Sequence, residues 1–185
     1  MKIYPLIRDR YLPRLRRVEY FYEYSELRTL NKDEIDALYK KDPQKLTASE
    51  FWSYIMSQKD ATDEKREALY REALSIHPDL MIAANNLASL LIKQNRADTT
   101  LLKPFITQDA PSAILVNQTV AYLQKRDFKR ANHFAELLPD NKDTEIVKAL
   151  AAAMDGKYQE AYPIFEKQGG INQAILLLSM KQNSK

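Results

Sequence analysis

From residue 31 onward, apolar residues recur every three or four positions in blocks separated by turn-forming residues, the pattern of a chain of amphipathic helices. Asn31-Lys32-Asp33-Glu34 has the form of a capping box and predicts a short helix to about Lys41, stopped ahead of Pro43. Thr47-Ala48-Ser49-Glu50 is a clearer box, opening a helix that carries Phe51, Trp52, Tyr54, Ile55 and Met56. The next helix begins within 60–64, shows the stripe Ala68, Leu69, Ala73 and Ile76, and ends at His77-Pro78. The rhythm then predicts helices over 80–94 and 97–108, 112–125 and 128–138, 144–154 and 158–167, and a last one over 172–180. Turn signals separate them at Asn95-Arg96, Asp109-Ala110-Pro111, Pro139-Asp140-Asn141, Asp155-Gly156 and Gly169-Gly170.

The segment 16–24 reads differently. Val18, Tyr20, Tyr22 and Tyr24 fall on one face, with Arg17, Glu19, Phe21 and Glu23 on the other, which is a strand signal. A lone strand leaves its backbone groups unpaired. Residues 2–8 could pair with it through a turn near 9–13, or the partner sheet lies outside this chain. No strand pattern follows Tyr24. The expected fold is therefore all-α behind a short extended segment, with residues 1–45 as a basic extended segment plus short helix, and 46–185 as the helical domain.

Within 83–91, Ala84 and Ala88 alternate with Leu87 and Leu91 at spacings of three and four, so one helix face can approach a neighbour closely. Pair-to-pair spacing is about 30–35 residues, the range of tetratricopeptide repeats. Several signature positions match. Tyr70, Ala73 and Pro78 fill the aromatic, alanine and closing-proline slots of a first unit. Asn86-Leu87-Ala88 with Leu91 suits the opening helix of a second, and Asn117, Tyr122 and 127–131 a third. Gly156-Lys157-Tyr158-Gln159-Glu160-Ala161 with Phe165 is the fullest match. The helical body thus resembles a degenerate tetratricopeptide-like α-α solenoid. It departs from that pattern in having no tryptophan in the usual slot, and in Pro104, which implies a kinked or shortened helix within 97–108.

A wider resemblance runs through 11–20, Leu46-Thr47-Ala48-Ser49-Glu50, and Ala73, His77-Pro78-Asp79 and 84–88. These resemble the C-terminal part of Bacteroidetes envelope proteins in which a domain similar to outer membrane protein A precedes a helical tail. The resemblance implies a periplasmic or outer-membrane-associated setting and a strand that belongs to the end of the upstream domain, while the repeat organisation itself suits a noncatalytic scaffold for other proteins. The peptidoglycan-binding residues of that upstream domain have no counterpart here.

Composition narrows the chemistry. The chain has 185 residues and no cysteine, which removes disulfides and thiolate metal sites. With only three glycines, Gly156, Gly169 and Gly170, neither a dinucleotide fingerprint nor a phosphate loop can be written. A zinc site would need both histidines, His77 and His133, plus carboxylates from separate units. His77 is expected to cap a helix end, and His133 to lie on a part-exposed face. Glu64/Glu67 and Asp33/Asp36 stand among lysines and arginines and read as solvated faces. No cofactor is expected, and no catalytic residue. No apolar run reaches the ~20 residues of a membrane helix, and residues 1–8 are too short an apolar stretch for a signal peptide. Either the protein is cytosolic, or the chain is a piece of something longer.

The net charge of +3 is unevenly placed. Lys2, Arg8, Arg10, Arg14, Arg16 and Arg17 against Asp9 give the first 17 residues +5, leaving −2 for the rest. Arg14, Arg16 and Arg17 could hold an anionic partner, with Tyr20, Phe21, Tyr22 and Tyr24 stacking bases, which is the alternative of a nucleic-acid-associated adaptor. Equally, the tyrosine face packs internally while the arginines line its rim. Asn86 and Asn117 fall on equivalent positions of successive opening helices, a place that in tetratricopeptide proteins often faces the concave groove, where an amide can hold a bound peptide's backbone; equally, each asparagine bonds within its own repeat. Asn85, Ser89, Ile92 and Lys93 would share that groove, and its ligand would be a protein or peptide, envelope components among them.

Overall fold

The computed structural model describes residues 29–170, and these are all-helical, without strands. The strand expected over 16–24 and the helix expected over 172–180 lie outside the described residues. The first helix, α1 (Lys32–Lys41), starts at a complete capping box: Asn31 Oδ1 accepts from the Glu34 N–H at 3.0 Å, and Glu34 Oε2 accepts from the Asn31 N–H at 2.8 Å. Thr47 and Glu50 repeat the device for α2 (Ala48–Ser57). Thr62 caps α3 (Asp63–Ile76). Caps of this kind contribute about 1 kcal/mol each, which matters for helices of about three turns that are marginal by themselves. There follow α4 (Met81–Lys93), α5 (Ser112–Gln124), α6 (Phe128–Glu136), α7 (Glu145–Met154) and α8 (Tyr158–Gln168).

No α-helix forms over 97–108. The chain there runs through turns and one short 3-10 helix, Lys103–Phe105. Two local causes act together. Pro104 brings no N–H and crowds the preceding turn. Asp98 Oδ1 accepts from the Thr100 N–H at 2.8 Å and from the Thr100 hydroxyl at 2.7 Å, diverting backbone donors from helix formation. Those same bonds hold the Asp98 carboxyl below its ordinary pKa. The segment still serves the core: Leu102 is 1% exposed and packs with Ala84, Ala88 and Ile114, flanked by Leu74, Leu101, Phe105 and Ile106. The fully buried Gln118 of α5 donates to the Thr99 carbonyl at 2.9 Å, tying the loop down.

Each helix packs on the next in sequence, from α1 against α2 to α7 against α8, and α5 also packs on α7. Ala73, Ala83, Ala84, Ala131, Ala151 and Ala161 are fully buried. With a single methyl at each place, the backbones can close up in ridge-to-groove contact. Among the described residues, no helix is long and apolar enough to cross a membrane.

An aromatic cluster joins α1, α2 and α3. Tyr39 stacks on Tyr54 with centroids 3.8 Å apart and meets Phe51 edge-on at 5.6 Å. Its hydroxyl donates to Glu72 Oε2 at 2.6 Å. His77 closes α3 as its C-cap, and its Nε2 lies 2.8 Å from the Leu46 carbonyl. Burial first, and then the bond to Glu72, raise the Tyr39 hydroxyl well above its ordinary 10.0. A raised folded-state pKa gives stability that is complete below the unfolded value and lost as pH climbs past it. The denaturation midpoint is therefore expected to hold below about pH 10 and to fall progressively as the pH rises above it. Tyr39→Phe should flatten that slope, and urea titrations at several pH values check it. An unchanged slope in the variant would assign the alkaline loss elsewhere.

Candidate functional site: the outward face of α4, α5 and α7

Three helices end in one and the same device. Beyond the C-caps Gln94, Lys125 and Asp155, the residues Asn95, Arg126 and Gly156 take positive φ of 58°, 59° and 85°. The next N–H groups reach back to a carbonyl five residues earlier: Arg96 to Leu91 at 2.7 Å, Asp127 to Tyr122 at 3.0 Å and Lys157 to Ala152 at 2.8 Å. This is a Schellman ending, repeated three times. Gly156 and, less strongly, Asn95 are residues such a turn favours, whereas Arg126 adopts the left-handed region against its side chain's preference.

The repeated ending fixes a common register. Counted back from the left-handed residue, Asn85, Val116 and Ile146 are equivalent, as are Asn86, Asn117 and Val147. Ser89, Val120 and Leu150 form a third set, and Lys93, Gln124 and Met154 a fourth. Spaced at intervals of one, three and four, these positions share one helix face. Side chains join the face laterally between α4 and α5. Asn117 Nδ2 donates to Asn85 Oδ1 at 2.8 Å and to the Asn85 carbonyl at 3.3 Å, and Gln124 Nε2 donates to the Ile92 carbonyl at 2.7 Å.

Asn85 and Asn117 are thus brought into direct contact, both half-buried. Asn86 is not part of that bridge: its Nδ2 turns back on α4 and donates to the Ile82 carbonyl at 2.7 Å. Ser89 is exposed. Lys93 is exposed and its Nζ lies 3.5 Å from Asp63 Oδ2 on α3. Arg14, Arg16 and Arg17 lie outside the described residues.

The face changes character along the chain. On α4 it is amide, hydroxyl and amine, whereas on α7 the equivalent positions hold Ile146, Leu150 and Met154, exposed by 44%, 42% and 46%. Sequence reasoning did not single these three out. The available signal is that eight of the ten residues of α7 are apolar, with Glu145 and Lys148 its charged ones, more than the buried side of a surface helix takes up. An exposed apolar stripe rimmed by polar groups marks an interaction surface more often than a scattered leucine does.

Two features bear on chemistry. His133 is exposed, its ring edge-on to Phe134 at 5.5 Å. The cavity between α6, α7 and α8, of about 140 Å³, is lined by Asn132, Glu136, Lys148 and Glu160 without His133. Glu136 accepts from Lys157 Nζ at 2.8 Å and from Asn132 Nδ2 at 2.7 Å, and these bonds, Lys157 first, hold its carboxyl below the ordinary range. That is the behaviour of an ion pair on a surface, and general acid catalysis calls for the opposite shift. Among the described residues, no group of three or more histidine or carboxylate side chains is placed to hold a metal ion.

No family model, curated protein or solved structure matches this chain.

Proposed function

We propose that this protein is a noncatalytic scaffold that binds another protein on the outward face of α4, α5 and α7, its helices forming a degenerate tetratricopeptide-like solenoid. One observation carries the reading: three helices share the same ending, so equivalent positions recur on one face of each, and those of α4 and α5 are bonded side by side. The supporting geometry is periodic. The N-caps Thr47, Leu80, Pro111 and Thr144 follow one another at steps of 33, 31 and 33 residues. Each unit leans on its sequence neighbours, as stacked repeats do, and the loop over 97–108 replaces one return helix. The face offers hydrogen-bonding groups at one end and apolar surface at the other. That suits an extended or helical segment lying across several repeats. By the resemblance noted above, the partner is sought among envelope components.

A photo-crosslinking residue in place of Ser89 is expected to capture a defined protein adduct in native cells. Asn86→Ala together with Asn117→Ala should abolish that adduct. The pair's hydrogen bonds are worth about 1 kcal/mol each, so the melting midpoint should move by only a few degrees. Absence of any adduct, or one that survives the double substitution, overturns the assignment of the face.

A further inference from the structure

Along the edge where the Schellman turns lie, two notches occupy comparable places and carry opposite charge states. The first, of about 630 Å³, lies between the start of α3 and the end of α4, lined by Asp63, Glu64, Glu67, Arg71 and Arg96 among others. It is closed electrostatically. Arg96 donates twice to the Glu67 carboxylate at 2.9 and 3.2 Å, Arg71 donates to it at 3.0 Å, and Lys93 pairs with Asp63. The second, of about 600 Å³, lies between the α5–α6 turn and the end of α7, lined by Lys125, Arg126, Asp127, Phe128, Lys129, Met154 and Asp155. Its anions do not match its cations. Asp127 is occupied, since its carboxylate caps α6 and pairs with Arg130 at 2.7 Å. Arg130 also lies over the Tyr122 ring at 5.3 Å. Lys125, Arg126 and Lys129 have no ion pair among the described residues, and Asp155 is the one remaining carboxylate on the rim.

Met154 belongs to both this notch and the apolar stripe. Ile146, Leu150 and Met154 therefore form a track of about 12 Å along α7 that ends at three unpaired cations. Building on the scaffold reading, we propose that this track and notch together dock an acidic amphipathic protein segment. Its apolar residues lie on Ile146, Leu150 and Met154, and its carboxylates enter the notch to meet Lys125, Arg126 and Lys129. Charge complementarity selects this occupant. An apolar segment ending in cations would meet like charge, and a wholly polar one would leave the stripe in water.

The probe is a fluorescein-labelled synthetic peptide with leucines at helical spacing followed by a run of glutamates, its control carrying lysines in place of the glutamates. Fluorescence anisotropy with the full chain should show saturable binding of the glutamate peptide that weakens as salt rises. The lysine peptide should not bind. Lys125→Glu with Lys129→Glu should weaken binding at least about tenfold, equivalent to about 1.4 kcal/mol. Arg126→Gly removes the third cation while suiting the left-handed backbone, so its loss of affinity cannot be ascribed to unfolding. Leu150→Lys tests the track. Equal binding of both peptides, or affinity unmoved by the charge and track variants, overturns the proposal. So does the absence of peptide binding while a single-stranded RNA oligonucleotide binds through the same lysines. If the glutamate peptide fails while the Ser89 crosslink persists in cells, the scaffold reading stands and only the docking of an acidic segment falls.

Discussion

Phe51→Ala is expected to lower stability by about 3–5 kcal/mol, the range for removing a fully buried aromatic ring. Phe51 is 0% exposed, and it stands where three helices and a loop converge. Its ring meets Tyr39 edge-on at 5.6 Å, Tyr54 at 6.5 Å and His77 at 6.3 Å. Alanine would leave a void walled by rigid rings, which cannot collapse as flexible aliphatic chains do. Trp52, the single tryptophan, stacks on Tyr70 with centroids 6.3 Å apart and so reports on the junction of α2 and α3. Urea denaturation followed by its emission should show the midpoint falling sharply. Phe51→Leu, which keeps most of the volume, should cost far less. A loss below about 1 kcal/mol for the alanine variant would mean that the cluster closes over the void and is not a packing node.

Leu102→Ala should cost about 2–5 kcal/mol, and its effect should appear in a different place. Leu102 lies in the loop over 97–108, where the sequence pattern predicts a helix, so its burial against Ala84, Ala88 and Ile114 fastens that loop to α4 and α5. The loop has few regular backbone bonds to fall back on, and the other tie described is the Gln118 amide on the Thr99 carbonyl. Because each helix packs on its neighbours in sequence, a local loss should weaken adjacent interfaces first. Hydrogen exchange should accelerate in α4 and α5 more than in α2, while Trp52 emission at low denaturant stays native. Uniform acceleration across all helices would show instead that the body unfolds as one cooperative unit.

The helix starts at Asn31 and Thr47 were legible because capping is a local matter: the side chain, its N–H partner and the acid that answers it lie within four residues. At Thr62, by contrast, the third helical residue is Lys65, no acid answers, and the sequence bracketed the start only within 60–64. The same locality made the register of Asn86 and Asn117 readable, since the turn signal at Asn95-Arg96 follows the first and the turn match over 127–131 follows the second. It misled at 97–108. Leu101, Leu102, Phe105 and Ile106 carry helical spacing, yet their burial is achieved by a folded loop, because a hydrophobic period records which residues are covered and leaves the backbone path open. Pro104 alone pointed to the interruption.

The candidate face divides along the same line. That Asn85 and Asn117 bond to one another, while Asn86 turns back on its own helix, depends on how α4 and α5 lie side by side. The stripe of Ile146, Leu150 and Met154 was hidden because apolar residues cover most of α7 outside Glu145 and Lys148, and only packing selects the side on which Ala149, Ala151 and Ala152 are buried. That Lys125, Arg126 and Lys129 have no ion pair among the described residues likewise follows from which carboxylates the fold brings near.

The sequence by itself determined where helices begin, where most of them stop, and which residues want to leave water, since each of these rests on interactions within about one helical turn. The tertiary structure alone decided which apolar faces stay uncovered and which charges go unpaired. Those outcomes depend on contacts between residues some 30 positions apart, such as Asn117 with Asn85 and Arg96 with Glu67, whose meeting no local pattern encodes.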